Sequence, residues 1–488
     1  MKFLIITHVA HIASDNHYFA YSPYVREMNV WLRHVDEVII VAPLESNYEP
    51  TAIDLKYEHQ KIHFQSVATF DIKSVVSVLK TVFLLPKIVV TLFRAMQQAD
   101  HIHLRCPGNM GLLGALVQIV FPKKKKTAKY AGNWDPKAKQ PFTYKLQRWI
   151  ISNTFLTQNM QVLVYGEWEN QTKNIKPFFT ATYTEAEKHQ FSTLQKPYKS
   201  TKSFDSAQLD NDDKLMSLRA KSRTTENSFD SSSLENIDEL MSLRAKSRTT
   251  ENSFDSTQLE KDDDSLLLRA KSRTTENSFI SSSLEKDDDS LSLRAKSRTN
   301  KIEKGSYRLS ETQISFLFVG TLSIGKQPLY AIQLVEKLYK NGKKVTLELY
   351  GEGVLRKELE VYILQNSLEK IVTLKGNQSK ESLITAYQNS HFLLLPSKSE
   401  GWPKAVAEAM FWGCVPLATA VSCVPYMLDF EKRGKFLKLQ LDADVQAIEN
   451  VIANVDAYIS LSENSKNWSQ AFTLEVFETE IKKLLNCV

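Results

Sequence analysis

Two acids eight positions apart, Glu400 and Glu408, stand in the stretch S-E-G-W-P-K-A-V-A-E-A-M, Ser399 to Met410. Pro403 suits the first position of a helix, where its missing N–H costs nothing, and the run A-V-A-E-A-M-F-W behind it favours helix. The pattern predicts Glu400 on the loop before a helix and Glu408 inside it, buried among alanines, Val406, Met410, Phe411 and Trp412. A carboxylate in such surroundings is costly unless a cation or hydroxyl donors meet it. Two kinds of partner fit. Lys404, four residues earlier, can form an ordinary helical ion pair with Glu408; alternatively, a ligand brings its own hydroxyls.

The elements that would position these acids follow from the apolar pattern. At 488 residues and 42% hydrophobic composition, the chain exceeds what one core usually supports. In the first half the runs K-F-L-I-I-T, E-V-I-I-V-A-P, H-I-H-L-R-C, K-T-A-K-Y-A-G, Q-V-L-V-Y-G and F-F-T-A-T-Y alternate with helical segments such as Tyr24 to His34 and Leu112 to Val120. The second half repeats the scheme with I-S-F-L-F-V-G, V-T-L-E-L-Y-G, I-V-T-L-K-G, H-F-L-L-L-P-S and V-P-L-A-T-A. Short apolar strands alternating with helices predict parallel sheets covered on both faces, hence an α/β chain with two doubly wound, Rossmann-like domains facing across a cleft. Ligands of such sheets bind at the C-terminal strand ends. That places the chemistry in the loops after Gly320, Gly351, Gly376 and Pro396, and Glu400 lies in one of them.

Between the halves the chain repeats itself. L-R-A-K-S-R-T-T-E-N-S-F begins at Leu218, Leu243 and Leu268, with a truncated copy at Leu293, a period of 25 residues. Each unit offers too few apolar residues in a Ser/Thr/Asp/Lys-rich background to bury a continuous core, so the tract is expected to be a disordered insertion. The expected divisions are 1–189, an acceptor-binding domain; 190–310, the insertion; 311–465, a nucleotide-sugar domain; and 466–488, a helix returning toward the first domain.

The motifs of the second half, F-V-G-T-L-S-I-G-K (Phe318 to Lys326), L-Y-G-E-G-V-L-R-K-E-L (Leu349 to Leu359), V-T-L-K-G, the Glu400 to Glu408 stretch and W-G-C-V-P-L-A-T, stand in a distinctive order and spacing. This half resembles the nucleotide-sugar domain of family 4 retaining glycosyltransferases of GT-B architecture. The resemblance implies that Glu400 contacts the donor sugar and that Glu408 holds the nucleotide ribose hydroxyls. It implies that Lys326 neutralises the leaving diphosphate, and that Gly320, Thr321, Gly351, Gly376, Gly401, Trp402 and Lys404 line the donor site. The helix N-terminus after Gly401 would favour the diphosphate. No cofactor and no structural metal are implied; the donor is a nucleotide-diphosphate sugar. Two departures stand out. Thr321 replaces the arginine common in the phosphate clamp, and Ser422–Cys423 replace a Gly-Gly pair.

The first half matches less closely. Asp135 or Asn133, in A-G-N-W-D after a central strand, occupies about the place of the family's polar residue near the reacting sugar. The first loop offers His8, His11, Asp15 and His17 in place of a glycine pair. Their spacing fits no metal motif, and acceptor contact by His11, or packing, is the expected use.

From Ile72 to Trp149 fourteen Lys or Arg face two acids, with Lys123, Lys124, Lys125 and Lys126 consecutive. Such a stretch beside the apolar segment Thr81 to Phe93 suits an anionic membrane surface or a solvated face; without interleaved stacking aromatics it does not suit nucleic acid. That apolar segment, interrupted by Pro86 and Lys87, is short for a membrane span. The N-terminus lacks a signal peptide's pattern, and the four scattered cysteines fit a reducing compartment.

The expectation is a cytoplasmic enzyme, peripheral at the inner membrane face, moving a sugar to a saccharide or lipid-linked acceptor in cell-surface polysaccharide or lipopolysaccharide assembly. A GT-B epimerase or hydrolase acting on the nucleotide sugar, or a non-catalytic scaffold using the repeats, are the alternatives.

Overall fold

In the computed structural model the described residues are 1–45, 48–51, 53–68, 75–190 and 313–485. The repeat tract lies outside them, as does Cys487. The first domain is built on seven parallel strands: β1 (Lys2–Ile6), β4 (Glu37–Ala42), β7 (Ile62–Ser66), β8 (His101–Cys106), β9 (Lys125–Tyr130), β10 (Met160–Tyr165) and β11 (Ile175–Phe178). Their order across the sheet is β11-β10-β9-β8-β1-β4-β7. β2 (His11–Ser14), β3 (His17–Tyr21), β5 (Leu44–Glu45) and β6 (Asp54–Lys56) form a small second sheet. The second domain has six parallel strands, β12 (Ile314–Val319), β13 (Val345–Tyr350), β14 (Val372–Gly376), β15 (Phe392–Leu395), β16 (Val415–Thr419) and β17 (Lys435–Leu437), in the order β14-β13-β12-β15-β16-β17. Each large sheet reverses its winding once, between β1 and β8 and between β12 and β15. At such points the loops on either side part and leave a crevice.

Several local expectations change. The loop bearing His11, Asp15 and His17 is a β2–β3 hairpin, because Asp15 and Asn16 both adopt left-handed φ (48° and 60°), the two-residue turn that joins twisted antiparallel strands. F-F-T-A-T-Y is not a strand: β11 ends at Phe178, and the residues after it form the crossing to the second domain. The segment Leu112 to Val120 is a helix over Asn109–Val117 followed by a 3₁₀ turn, and the apolar stretch around Pro86 belongs to one helix, Val75–Gln98. No helix among the described residues is long and apolar enough to cross a membrane.

The two domains share one apolar core. Tyr183 packs between Phe411 (4.7 Å between ring centroids) and Trp412 (5.1 Å), and Tyr165 meets Trp402 at 5.5 Å. The C-terminal helix Leu474–Leu485 lies against the first domain, with Phe477 on Phe178 and Phe179. Polar links Lys176–Glu480 (2.7 Å) and His34–Glu478 (2.8 Å) border it.

The C-terminal strand ends of the second sheet are laced by backbone bonds: Gly320 N–H donates to the Tyr350 carbonyl and Gly351 N–H to the Gly376 carbonyl. At Gly351 (φ 134°) an added Cβ would stand 2.0 Å from the Gly320 oxygen. Gly351→Ala should therefore lower the unfolding free energy by about 1–3 kcal/mol, the cost of overpacking, whereas Gly325→Ala, with nothing within 4 Å of its Cβ, should leave it within about 0.5 kcal/mol. Urea midpoints read the difference; equal midpoints would show that the strand ends are not locked.

Candidate donor site at the strand ends of the second domain

The reversal between β12 and β15 brings two loops together. Lys398 N–H donates to the Gly325 carbonyl (2.8 Å), and Gln327 Nε2 donates to the Pro396 carbonyl (2.5 Å). Between these ties Lys326 Nζ donates to Glu400 Oε1 at 2.5 Å. Glu400 is 9% exposed, while Lys326 keeps access to solvent. A buried carboxylate is tolerable with such a charge-assisted bond, and the ammonium remains 29% exposed, open to an anion from solvent.

Gly401 follows. An added Cβ there would be 2.7 Å from the Ala131 oxygen, so the A-G-N-W-D loop of the first domain abuts the acid loop. Within it Asn133 Oδ1 accepts from Asp135 N–H (2.8 Å), and Asp135 Oδ1 accepts from Lys137 N–H (2.8 Å). Both side chains thus fold their own turn, beside the site.

The helix starts one residue later than its sequence predicts, at Lys404, because Pro403 has ψ 89° and caps it with its carbonyl, which accepts from Val406 and Ala407 N–H. Glu408 is half-buried, less than the apolar sequence around it suggests. Its partner is not Lys404. Oε1 accepts from the Thr182 hydroxyl (3.1 Å), on the crossing from the first domain, and Oε2 from the Tyr387 hydroxyl (3.1 Å). Hydroxyl donors do stabilise this carboxylate, and the protein itself supplies two.

Ser422 and Cys423 carry a function that their sequence did not reveal. Ser422 adopts φ 51°, the left-handed region where glycine is at ease. Its Oγ and Cys423 Sγ both donate to the Gly401 carbonyl at 3.1 Å, fixing the acid loop from behind. Thr321 is exposed, and Glu352 pairs with Arg356 (2.5 Å) beside Gly376. The left-handed φ of Ser422 is foreshadowed only by the glycine pair that the resemblance implies at this place.

Other sequence candidates lie elsewhere. His11 does not face an acceptor: it is fully buried, its Nδ1 shares a hydrogen bond with the Val9 carbonyl and its Nε2 with Tyr57 Oη, and burial pushes it down to about 4. Nor do the four lysines form one basic patch. Lys124 Nζ donates to the Gln97 and Ala99 carbonyls, and Lys126 is buried, donates to Phe121 and is pushed down by burial to about 8. Lys125, at the first position of β9, and Lys123 before it are exposed, while from Lys126 onward the strand is buried on both faces. Among the described residues no group of three or more His, Cys, Asp or Glu could hold a metal ion.

Residues 299–468 match the family described as Glycosyl transferases group 1. The second half carries a group 1 glycosyltransferase domain. An uncharacterized glycosyltransferase of Methanocaldococcus jannaschii is 27% identical over 169 residues, 34% of this chain and 46% of that protein. One from Haemophilus influenzae is 27% identical over 175 residues, 35% and 48% of the two chains. The chain thus spans about half the length of the curated relatives it matches. Anabaena HepE, solved in complex with UDP, is similar over 100% of this chain and 99% of its own, with TM-score 0.54 and 10% identity. Sucrose-phosphate synthase from Thermosynechococcus elongatus gives TM-score 0.53 and 15% identity over 100% and 98%. The fold is GT-B.

Beneath the glycosyltransferase domain's contact with the first domain lies a buried charge cluster. Lys129, 0% exposed, stands 3.3 Å from Glu27 Oε1 and donates to the Phe179 carbonyl, with Arg105 3.6 Å from Glu27 Oε2. Burial pushes Lys129 down to about 8, against the pull of Glu27 and with the help of Arg105. An unfolded lysine keeps its ordinary 10.5, so through this window the unfolded chain binds more protons and stability rises with pH. Lys129→Met should reduce that slope by up to about 1.4 kcal/mol per pH unit between about pH 8 and 9.5, read by urea unfolding. A slope identical to the parent's would mean that Lys129 stays charged throughout.

Proposed function

We propose that the chain is a retaining glycosyltransferase that moves a sugar from a nucleotide-diphosphate donor to a saccharide or lipid-linked saccharide in cell-surface polysaccharide assembly. The observation that carries this reading is the Lys326–Glu400 pair at the β12/β15 crevice, inside the matched domain. Glu400 orients the donor sugar. Lys326 and the first amides of the Lys404–Phe411 helix receive the departing diphosphate, whose charge grows as the glycosidic bond breaks. In the retaining reaction that the resemblance implies, the donor's own phosphate takes the acceptor proton. Asn133 and Asp135, on the loop abutting Gly401, border the reacting sugar. Glu408 takes ribose hydroxyls with the lone pairs that Thr182 and Tyr387 leave, since a carboxylate has about four acceptor positions. HepE, of the same fold, was solved with UDP, which supports a nucleotide donor.

Calorimetry with UDP, GDP and ADP tests this. One nucleotide binds the parent, loses about 2 kcal/mol or more on Glu408→Ala, and keeps its affinity for Thr182→Val, which removes only a protein hydroxyl. Binding of none, or equal binding to Glu408→Ala, overturns the ribose role; conversion of donor without transfer to a saccharide would make the enzyme an epimerase or hydrolase.

In this reading the acceptor lies at an anionic membrane surface, at the inner face of the cell membrane. Val90 and Phe93 on the Val75–Gln98 helix and Val120 are exposed, with exposed Lys87, Arg94 and Lys123 on the same segments, and a Phe93–Phe121 ring contact (5.1 Å) sets that helix beside the turn before Lys123. Such a face combines apolar burial with attraction of about 1 kcal/mol per basic residue. Sedimentation with phosphatidylglycerol vesicles should capture the parent at low salt and release an Arg94→Glu, Lys123→Glu variant; equal capture of both would remove this surface from the reading.

A further inference from the structure

A cavity of about 180 Å³ opens where the Ser22–Leu32 helix of the first domain, the crossing segment and Lys404 meet. Its volume is far above the ~10–15 Å³ that one water needs. The floor is Glu27, 6% exposed, whose Oε1 is closed off from solvent and lies 3.3 Å from the Lys129 ammonium, its charge partner. Burial would raise the Glu27 carboxyl, but the Lys129 and Arg105 charges overcome that and hold it below its ordinary range. An ionised carboxylate only accepts, so a group that reaches Glu27 from the cavity meets it as a donor.

The walls differ from the floor. Arg26 and Lys404 enter from the two domains, and among the described residues neither has a carboxylate within ion-pair distance, although the Lys404 charge acts on Glu27, while Arg33 is paired with Glu478 at 3.6 Å. Val30, Leu55 and Phe477 supply an apolar side, and the Thr180 and Thr182 hydroxyls line the crossing. A free dianion fits poorly over the Glu27 floor, with Glu58 also on the lining. A group with several hydroxyls, one apolar face and a single negative charge meets every wall.

We infer that this cavity is a binding subsite for an acidic saccharide, its ring hydroxyls donating to Glu27 and its carboxylate received by Arg26 and Lys404. The apolar side then covers the C–H face of the ring. Lys404 stands four residues from Glu400, so the subsite adjoins the proposed donor site on its first-domain side. As an acceptor subsite it rests on the proposed sugar transfer; as a binding site it does not.

Saturation-transfer NMR of the full chain with glucuronate and with glucose tests it. The parent should bind glucuronate saturably and glucose about tenfold or more weakly, as for loss of one charge-assisted contact. Arg26→Gln, a change at an exposed residue, should lose glucuronate binding by about tenfold with an unchanged melting temperature. Absence of glucuronate binding, equal binding of glucose, or full retention in Arg26→Gln overturns the inference. UDP titrated into the same samples separates the two readings: loss of the UDP response with glucuronate binding intact would strike the donor assignment alone.

Discussion

Tyr183 sits between Phe411 and Trp412, at the centre of the apolar core that the two sheets share. The Lys404–Phe411 helix that it grips is the same helix whose start presents the acid loop. Packing and chemistry therefore share an element: the helix cannot shift without moving Glu400 away from Lys326, and close-packed aromatic contacts resist such a shift. The return helix adds Phe477 to the same core, above the buried Glu27–Lys129–Arg105 cluster.

The second domain was legible because parallel strands buried on both faces read as unbroken apolar runs. F-L-L-L and V-P-L-A-T are buried at every position, and all five runs are strands. β17, only three residues long, carried too little pattern. In the first domain, long-range pairing decided what local sequence could not. His11 has the look of a loop ligand until Tyr57, 46 residues away, is seen to close over its ring. The lysine run reads as one charged surface, but it straddles the start of β9, which enters the interior at Lys126 and is buried on both faces from there. The Asp15–Asn16 turn is readable in principle, since Asp and Asn tolerate the left-handed region that a two-residue hairpin turn requires.

At the site, residue type was legible and partnership was not. The sequence poses Glu408 as a carboxylate in need of hydroxyls, which is correct as physics, but it cannot say whose. Thr182 and Tyr387 come from positions 226 and 21 residues distant. Likewise Ser422 and Cys423 look like losses of a flexible glycine pair, yet their side chains hold the Gly401 carbonyl that glycines would leave to water. A strained φ at Ser422 costs on the order of 1 kcal/mol or more, which these two bonds offset.

The aromatic grip on Tyr183 comes before residue 190, ahead of the tract that separates the halves in sequence. The second domain is thus moored by residues upstream of that tract and by the return helix at the far end of the chain, Lys176–Glu480 among its ties. Both moorings are made by residues outside the span 191–312. Replication errors that add or delete a 25-residue unit would therefore be nearly silent for the geometry of the cleft, a tolerance that lets such a tract drift in copy number without selection acting on the site.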